Sequence, residues 1–195
     1  MVIGEMLELV LATNYRPVTI MLVLLPLETR HVVIPEVLDS IKAQTGVGDI
    51  VVVECRTDGE YHSRGSHSPL RVKGEKSSRL LCRDRAFNSG EEYVVIQDRG
   101  YYHYTKFLHT DNFSSMLYYM KTHPHQGAVS IVYPRGDERD GHVDVGCMMW
   151  RVSVLNKITL DDWKKGCACR PTCEEIKNLG FDVGYLPGLI RVKKP

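Results

Sequence analysis

Apolar residues in this chain gather into short continuous runs, and the stretches between them carry apolar positions at helical spacing. The longest run is Val18-Thr19-Ile20-Met21-Leu22-Val23-Leu24-Leu25, stopped by Pro26. A segment apolar on both faces predicts a strand covered by helices on each side, as in a parallel sheet. Asp49 to Glu54 and Tyr93 to Ile96 have the same character and predict two more buried strands. Between the first two runs, Ile34, Val37, Leu38 and Ile41 share one helical face. Pro35 stands near the start of that helix and Gly46 after its end. Ser78 to Ser89 predicts a second helix, with Gly90 suited to its C-terminal cap. Asn112 to Thr122 predicts a third, capped by Asp111. Thr105 to His109 reads as a helical turn, and Ala128 to Tyr133 and Val143 to Trp150 as strands. Ser153–Lys157 and Thr172–Leu179 read as helices, and Val183 to Leu186 as a closing strand. Val2 to Ala12 reads as a short amphipathic helix, Leu70 to Val72 as a short strand in the polar loop 56–78, and Pro134 to Gly141 as a charged turn.

This order implies an α/β sandwich, with a mostly parallel sheet and one antiparallel piece. No repeat, low-complexity stretch or long linker divides the 195 residues, so one domain over 1–195 is expected. The apolar fraction of 43% is enough for a sizeable core, and 25 basic against 24 acidic residues leave a net charge of +1. That balance argues against a nucleic-acid binder, which carries a basic excess. The longest apolar run falls well short of the about 20 residues that span a bilayer. Glu5 and Glu8 interrupt the first apolar stretch and no Lys or Arg precedes it, unlike a secretion signal. A cytoplasmic protein without a transmembrane segment is expected, with peripheral membrane contact left open.

Open α/β sheets bind ligands at the carboxyl ends of their parallel strands. Three polar points fall there: Pro26 to Thr29, Glu54 to Asp58, and Asp98 with Arg99. The chain has no Gly-x-x-x-x-Gly-Lys-Ser/Thr and no Gly-x-Gly-x-x-Gly, which argues against a phosphate-cradling loop or a nicotinamide-binding domain. Six cysteines stand at 55, 82, 147, 167, 169 and 173. The last three leave a disulfide, buried thiols and a zinc site all open, zinc needing Cys147 or His142 as fourth ligand.

The runs also resemble the family 2-type glycosyltransferases of the GT-A fold. Val18–Gln44, with its ending Ser40-Ile41-Lys42-Ala43-Gln44, is similar to that family's first strand and helix. Val51 to Asp58 resembles the strand ending in an Asp pair, and Cys82-Arg83-Asp84-Arg85-Ala86-Phe87 the helix that follows. Gly90 to Asp98 resembles the strand that delivers a metal-binding Asp-x-Asp. Val145 to Arg151 and Leu179 to Pro187 resemble later Gly-containing segments. The likeness spans roughly residues 18–190. It implies a GT-A, Rossmann-like mixed sheet of the spore coat polysaccharide synthase type, with a donor half at about 18–104 and an acceptor half at about 105–190. The compact size resembles the small glycosyltransferase-like proteins of crenarchaeal turreted icosahedral viruses. That implies a viral, hyperthermophilic source, acting in the host cytoplasm.

The resemblance implies transfer of a sugar from a nucleotide diphosphate donor to a carbohydrate or glycoprotein acceptor, with inversion. Pro26, Glu28, Glu54, Arg83 and Asp98 would hold the donor, with Glu54 or Cys55 at the base and ribose and Arg83 at the nucleotide. Asp98 would hold Mn²⁺ or Mg²⁺, a cation that neutralises the diphosphate as the glycosidic bond breaks. The sequence departs from the family at two points. Asp-x-Asp becomes Asp98-Arg99-Gly100, where Arg99 offers positive charge instead. The Glu-Asp pair that supplies the general base falls on Ala168 and Cys169. Asp144, Asp161 and Asp162 are the candidate bases in its place. These departures leave open a catalytically inactive nucleotide-binding or interaction protein of the same fold.

Overall fold

The structure is a computed structural model that describes residues 20–27, 35–56, 62–63, 69–70, 78–97, 105–108, 110–131, 143, 145–159, 169–186 and 190–193. Its elements in chain order are β1 (Ile20–Leu27), α1 (Pro35–Lys42), β2 (Asp49–Arg56), β3 (His62–Ser63), β4 (Pro69–Leu70), α2 (Ser78–Ser89), β5 (Tyr93–Gln97), β6 (Thr105–Leu108), α3 (Asn112–Thr122), β7 (Gln126–Ser130), β8 (Cys147–Arg151), α4 (Val152–Leu155), α5 (Cys169–Asn178), β9 (Asp182–Tyr185) and β10 (Ile190–Lys193). The predicted helix at Val2–Ala12 and charged turn at Pro134–Gly141 lie outside the described residues.

Six strands form one sheet in the order β2-β1-β5-β8-β7-β9. β1 pairs with β2 and β5 in parallel, as does β7 with β9, while β8 runs antiparallel between β5 and β7. Side chains alternate across a strand, so the sheet separates two cores. Leu22, Leu24, Val94, Ile96, Met148 and Trp150 pack on one face under α2, α4 and α5. Met21, Val23, Val95, Val129 and Met149 pack on the other against Val37 and Ile41 of α1 and Phe113, Met116 and Met120 of α3. Each large apolar side chain removed from water in this way contributes about 1.5–3 kcal/mol.

Several sequence expectations are corrected. β1 does not stop at Pro26 but continues to Leu27. Beyond Leu24 its ladder has only β2 as partner, where a missing N–H is tolerated. β2 is not buried on both faces, because it ends the sheet order and leaves Val51 42% exposed. Thr105 to Leu108 is a strand rather than a helical turn, since it pairs antiparallel with Ile190 to Lys193 far along the chain. β8 begins at Cys147 rather than Val143 because Val145 and Gly146 form a turn. α5 starts at Cys169, with Pro171 in its first turn, where the missing N–H breaks no helical bond.

Asp111 occupies the N-cap position of α3, but its side chain makes no capping bond. Gln44 takes that role from beyond the end of α1: its amide oxygen accepts from the Phe113 N–H at 2.9 Å. Its amide nitrogen donates to the Ser40 carbonyl at 3.1 Å, which orients the group. The Thr45 N–H reaches the Thr110 carbonyl beside it at 2.6 Å. Gly46 lets the chain make this crossing with φ +71°, and a Cβ there would stand 2.9 Å from that of Ser114.

Candidate functional site

The chain leaves β1 for β2 on one side, then crosses back over β1 to reach β5 on the other. That reversal makes the carboxyl ends of β1 and β5 the topological switch point, where such sheets open a crevice. Leu27, Arg56 and Gln97 end the three parallel strands there. Pro26 is in register with Cys55, and Gln97 with Cys147 of the reversed strand β8. Gln97 is fully buried, so the chain enters the Asp98 segment from a rigid point. Next to it, the Ser130 hydroxyl donates to the Cys147 carbonyl at 3.2 Å and joins β7 to β8 at the same edge.

Glu54 and Cys55 are consecutive on β2 and therefore face opposite sides of the sheet. Glu54 is exposed and accepts from Arg56, whose Nε lies 2.7 Å from its Oε2. Both partners are solvated, so the pair contributes at most about 1 kcal/mol and opens at little cost. Cys55 is buried on the α2 side, where its thiol hydrogen-bonds that of Cys82. This bond holds the Cys55 thiol below its ordinary range, against the opposing effect of burial and with help from the Arg85 guanidinium.

No protein-family model and no curated protein sequence matches the chain. Solved structures do match. Mannosyltransferase PcManGT from Pyrobaculum calidifontis, solved with GDP-Man and Mn²⁺, superposes with a TM-score of 0.55 at 16% identity, over 89% of this chain and 56% of that one. This chain thus spans little more than half of that enzyme's length. CMP:2-keto-3-deoxy-manno-octonic acid synthetase, solved with CTP, gives a TM-score of 0.52 at 8% identity, over 87% and 90% of the two chains. A197 from STIV gives 0.50 at 10% identity, over 90% and 85%.

The fold is that of GT-A transferases and nucleotidyltransferases.

At these identities the likeness is one of fold and says nothing of source or substrate. A197 is a different protein on the same scaffold. Within the GT-A fold the expected site residues separate into two groups. Pro26, Glu54 and Arg83 are described. Glu28, Asp98, Asp144, Asp161 and Asp162 lie outside the described residues. Arg83 is engaged within the protein: its Nη1 donates to the Ile158 carbonyl at 2.7 Å and ties α2 to the segment after α4. Glu175 of α5 holds the next residue, accepting from the Thr159 N–H at 2.7 Å and its hydroxyl at 3.3 Å. Two helices therefore clamp the backbone just before the stretch that carries Asp161 and Asp162. Nothing in the sequence pattern marked Glu175. Val143 and Val145, on either side of Asp144, are buried. The Val143 carbonyl takes the Cys173 thiol at 3.9 Å.

Among the described residues, no three His, Cys, Asp or Glu side chains come together to hold a cation. They do not form a protein cage for Mn²⁺ or Mg²⁺. The zinc expectation is corrected in one part. Cys169 and Cys173 pack on the α2 side of the sheet and Cys147 on the opposite side, so Cys147 cannot join them as a ligand. No disulfide joins the described cysteines to one another.

Proposed function

We propose that this chain is a single-domain transferase, moving a sugar from a nucleotide diphosphate donor to a carbohydrate or glycoprotein acceptor with inversion. The observation that carries the reading is the switch point between β1 and β5, where buried Gln97 leads directly into Asp98. The donor half, at about 18–104, would place Pro26, Glu28 and Glu54 around the nucleotide and Asp98 at the diphosphate. Glu54 is the accessible member of the Glu54–Cys55 pair, which favours it as the ribose contact. Arg83 would meet the nucleotide only by giving up its bond to the Ile158 carbonyl. A divalent cation bound through Asp98 and the diphosphate oxygens would supply charge neutralisation to the leaving group, consistent with the metal in the mannosyltransferase of the same fold. Asp144, Asp161 or Asp162, in the acceptor half at about 105–190, would take the acceptor hydroxyl's proton. The clamp at Ile158–Thr159 favours the Asp161–Asp162 pair, because it gives that segment a defined origin.

A second reading is a nucleotide-binding protein of this fold without transferase activity. The Glu-Asp pair that supplies the family's base falls on Ala168 and Cys169, and Cys169 is 2% exposed and faces the core, which favours this reading.

Calorimetric titration with UDP and GDP, with and without Mn²⁺, on wild type and Asp98→Ala, tests the proposal. Manganese-dependent binding lost in the variant is the expected result, and sugar transfer or donor hydrolysis then separates the two readings. Binding of nucleoside triphosphates but not diphosphates would move the chain to the nucleotidyltransferases. No binding of either would overturn both readings.

A further inference from the structure

We propose that Cys55 and Cys82 are a site of oxidative modification, joined by a peroxide-class oxidant into a disulfide that staples the carboxyl end of β2 to α2. The two residues come from elements distant in sequence and meet in one buried cluster, at 4% and 0% exposure. Their thiols hydrogen-bond each other, so both sulfurs already stand together. Other described thiols are placed differently. Cys147 lies across the sheet, while Cys169 and Cys173 lie on α5, with the Cys173 thiol directed at the Val143 carbonyl.

In the first step the Cys55 sulfur attacks one peroxide oxygen and the O–O bond breaks. Cys55 becomes the sulfenic acid, and the second oxygen leaves as water with the Cys55 proton. Cys82 sulfur then attacks the sulfenic sulfur. The S–S bond forms, the S–O bond breaks, and the hydroxyl leaves as water with the Cys82 proton. Two thiols are oxidised, one peroxide is reduced to two waters, and no other reactant is required. Low exposure makes the reaction wait on local opening, and the disulfide is then protected from reduction by the same packing. The staple closes a loop that holds α2's first turns against the edge strand β2. The proposal is independent of the nucleotide-sugar reading.

The test treats the folded wild-type protein with hydrogen peroxide and maps its peptides without reduction. The expected result is a mass loss of about 2 Da, with the Cys55 and Cys82 peptides linked to each other and released by a reductant. The oxidised protein should melt about 5–10 °C higher than the reduced protein. Cys55→Ser and Cys82→Ser should each abolish both effects. Mapping of wild type stands alone if either variant fails to fold. Recovery of both thiols unmodified, oxidation to sulfinic acid without linkage, or linkage of Cys55 to a different cysteine would each overturn the proposal.

Discussion

Gln44→Met isolates one long-range bond that fixes how α1 and α3 meet. Methionine keeps the length and volume of glutamine and removes only the acceptor and donor. The Phe113 N–H, now capped at 2.9 Å, would then be left buried at the start of α3, because Phe113 is fully buried. Losing a side-chain cap costs about 1 kcal/mol, and stranding a buried donor costs about 1–3 kcal/mol. These describe the same bond from two sides and are not summed. The expected loss is about 2 kcal/mol, which for a chain of this size lowers Tm by roughly 4–8 °C. Urea unfolding followed by circular dichroism measures it, with an unchanged slope showing that only stability moved. Gln44→Ala should cost more, because it adds a cavity beside Phe113. A Gln44→Met protein within about 0.5 kcal/mol of wild type would show that this N–H finds another partner, and would refute the capping argument.

Gly184→Ala places a Cβ 2.5 Å from Tyr119 Cε1, and the Tyr119 ring is itself stacked on His123 at 4.2 Å. Thermal unfolding should show a loss of about 1–3 kcal/mol, and none would mean that the ring moves aside freely. Arg151→Met removes donors to the Gln126 and Met120 carbonyls and to the Tyr93 hydroxyl, and the pair with Glu92. A loss of about 2–4 kcal/mol is expected in urea unfolding, and a change below about 1 kcal/mol would show these bonds to be dispensable. Burial, then the bond to Glu92, raises the Tyr93 hydroxyl above its ordinary 10.0. Its stabilisation is therefore complete below pH 10.0 and is lost as pH rises through the higher folded value. Unfolding midpoints of wild type and Tyr93→Phe should converge in that alkaline range, and a constant gap would contradict the assignment.

The strands and helices that were legible in the sequence are those whose pattern is set locally. Continuous apolar runs announced β1 and β5, because a strand covered on both faces must be apolar at every position. Helical spacing with Pro35, Gly46 and Gly90 at the borders announced α1 and α2, since these residues act through their own backbone preferences. The shared direction of β1, β2 and β5 was legible too, because parallel strands put their carboxyl ends on one edge. Pairing between distant segments was not legible. Thr105 to Leu108 becomes a strand only because Ile190 to Lys193 supplies its ladder. Val51 is exposed only because β2 ends the sheet order. Gln44 caps α3, Arg83 and Glu175 clamp Ile158–Thr159, and Cys55 meets Cys82 through contacts whose partners lie 16 to 75 residues away or on another element. Local preference acts over a few residues, so sequence determined the elements whose pattern is local, and their order. Which side chains meet across the sheet depends on the folded path of the whole chain, and only the tertiary structure decided that.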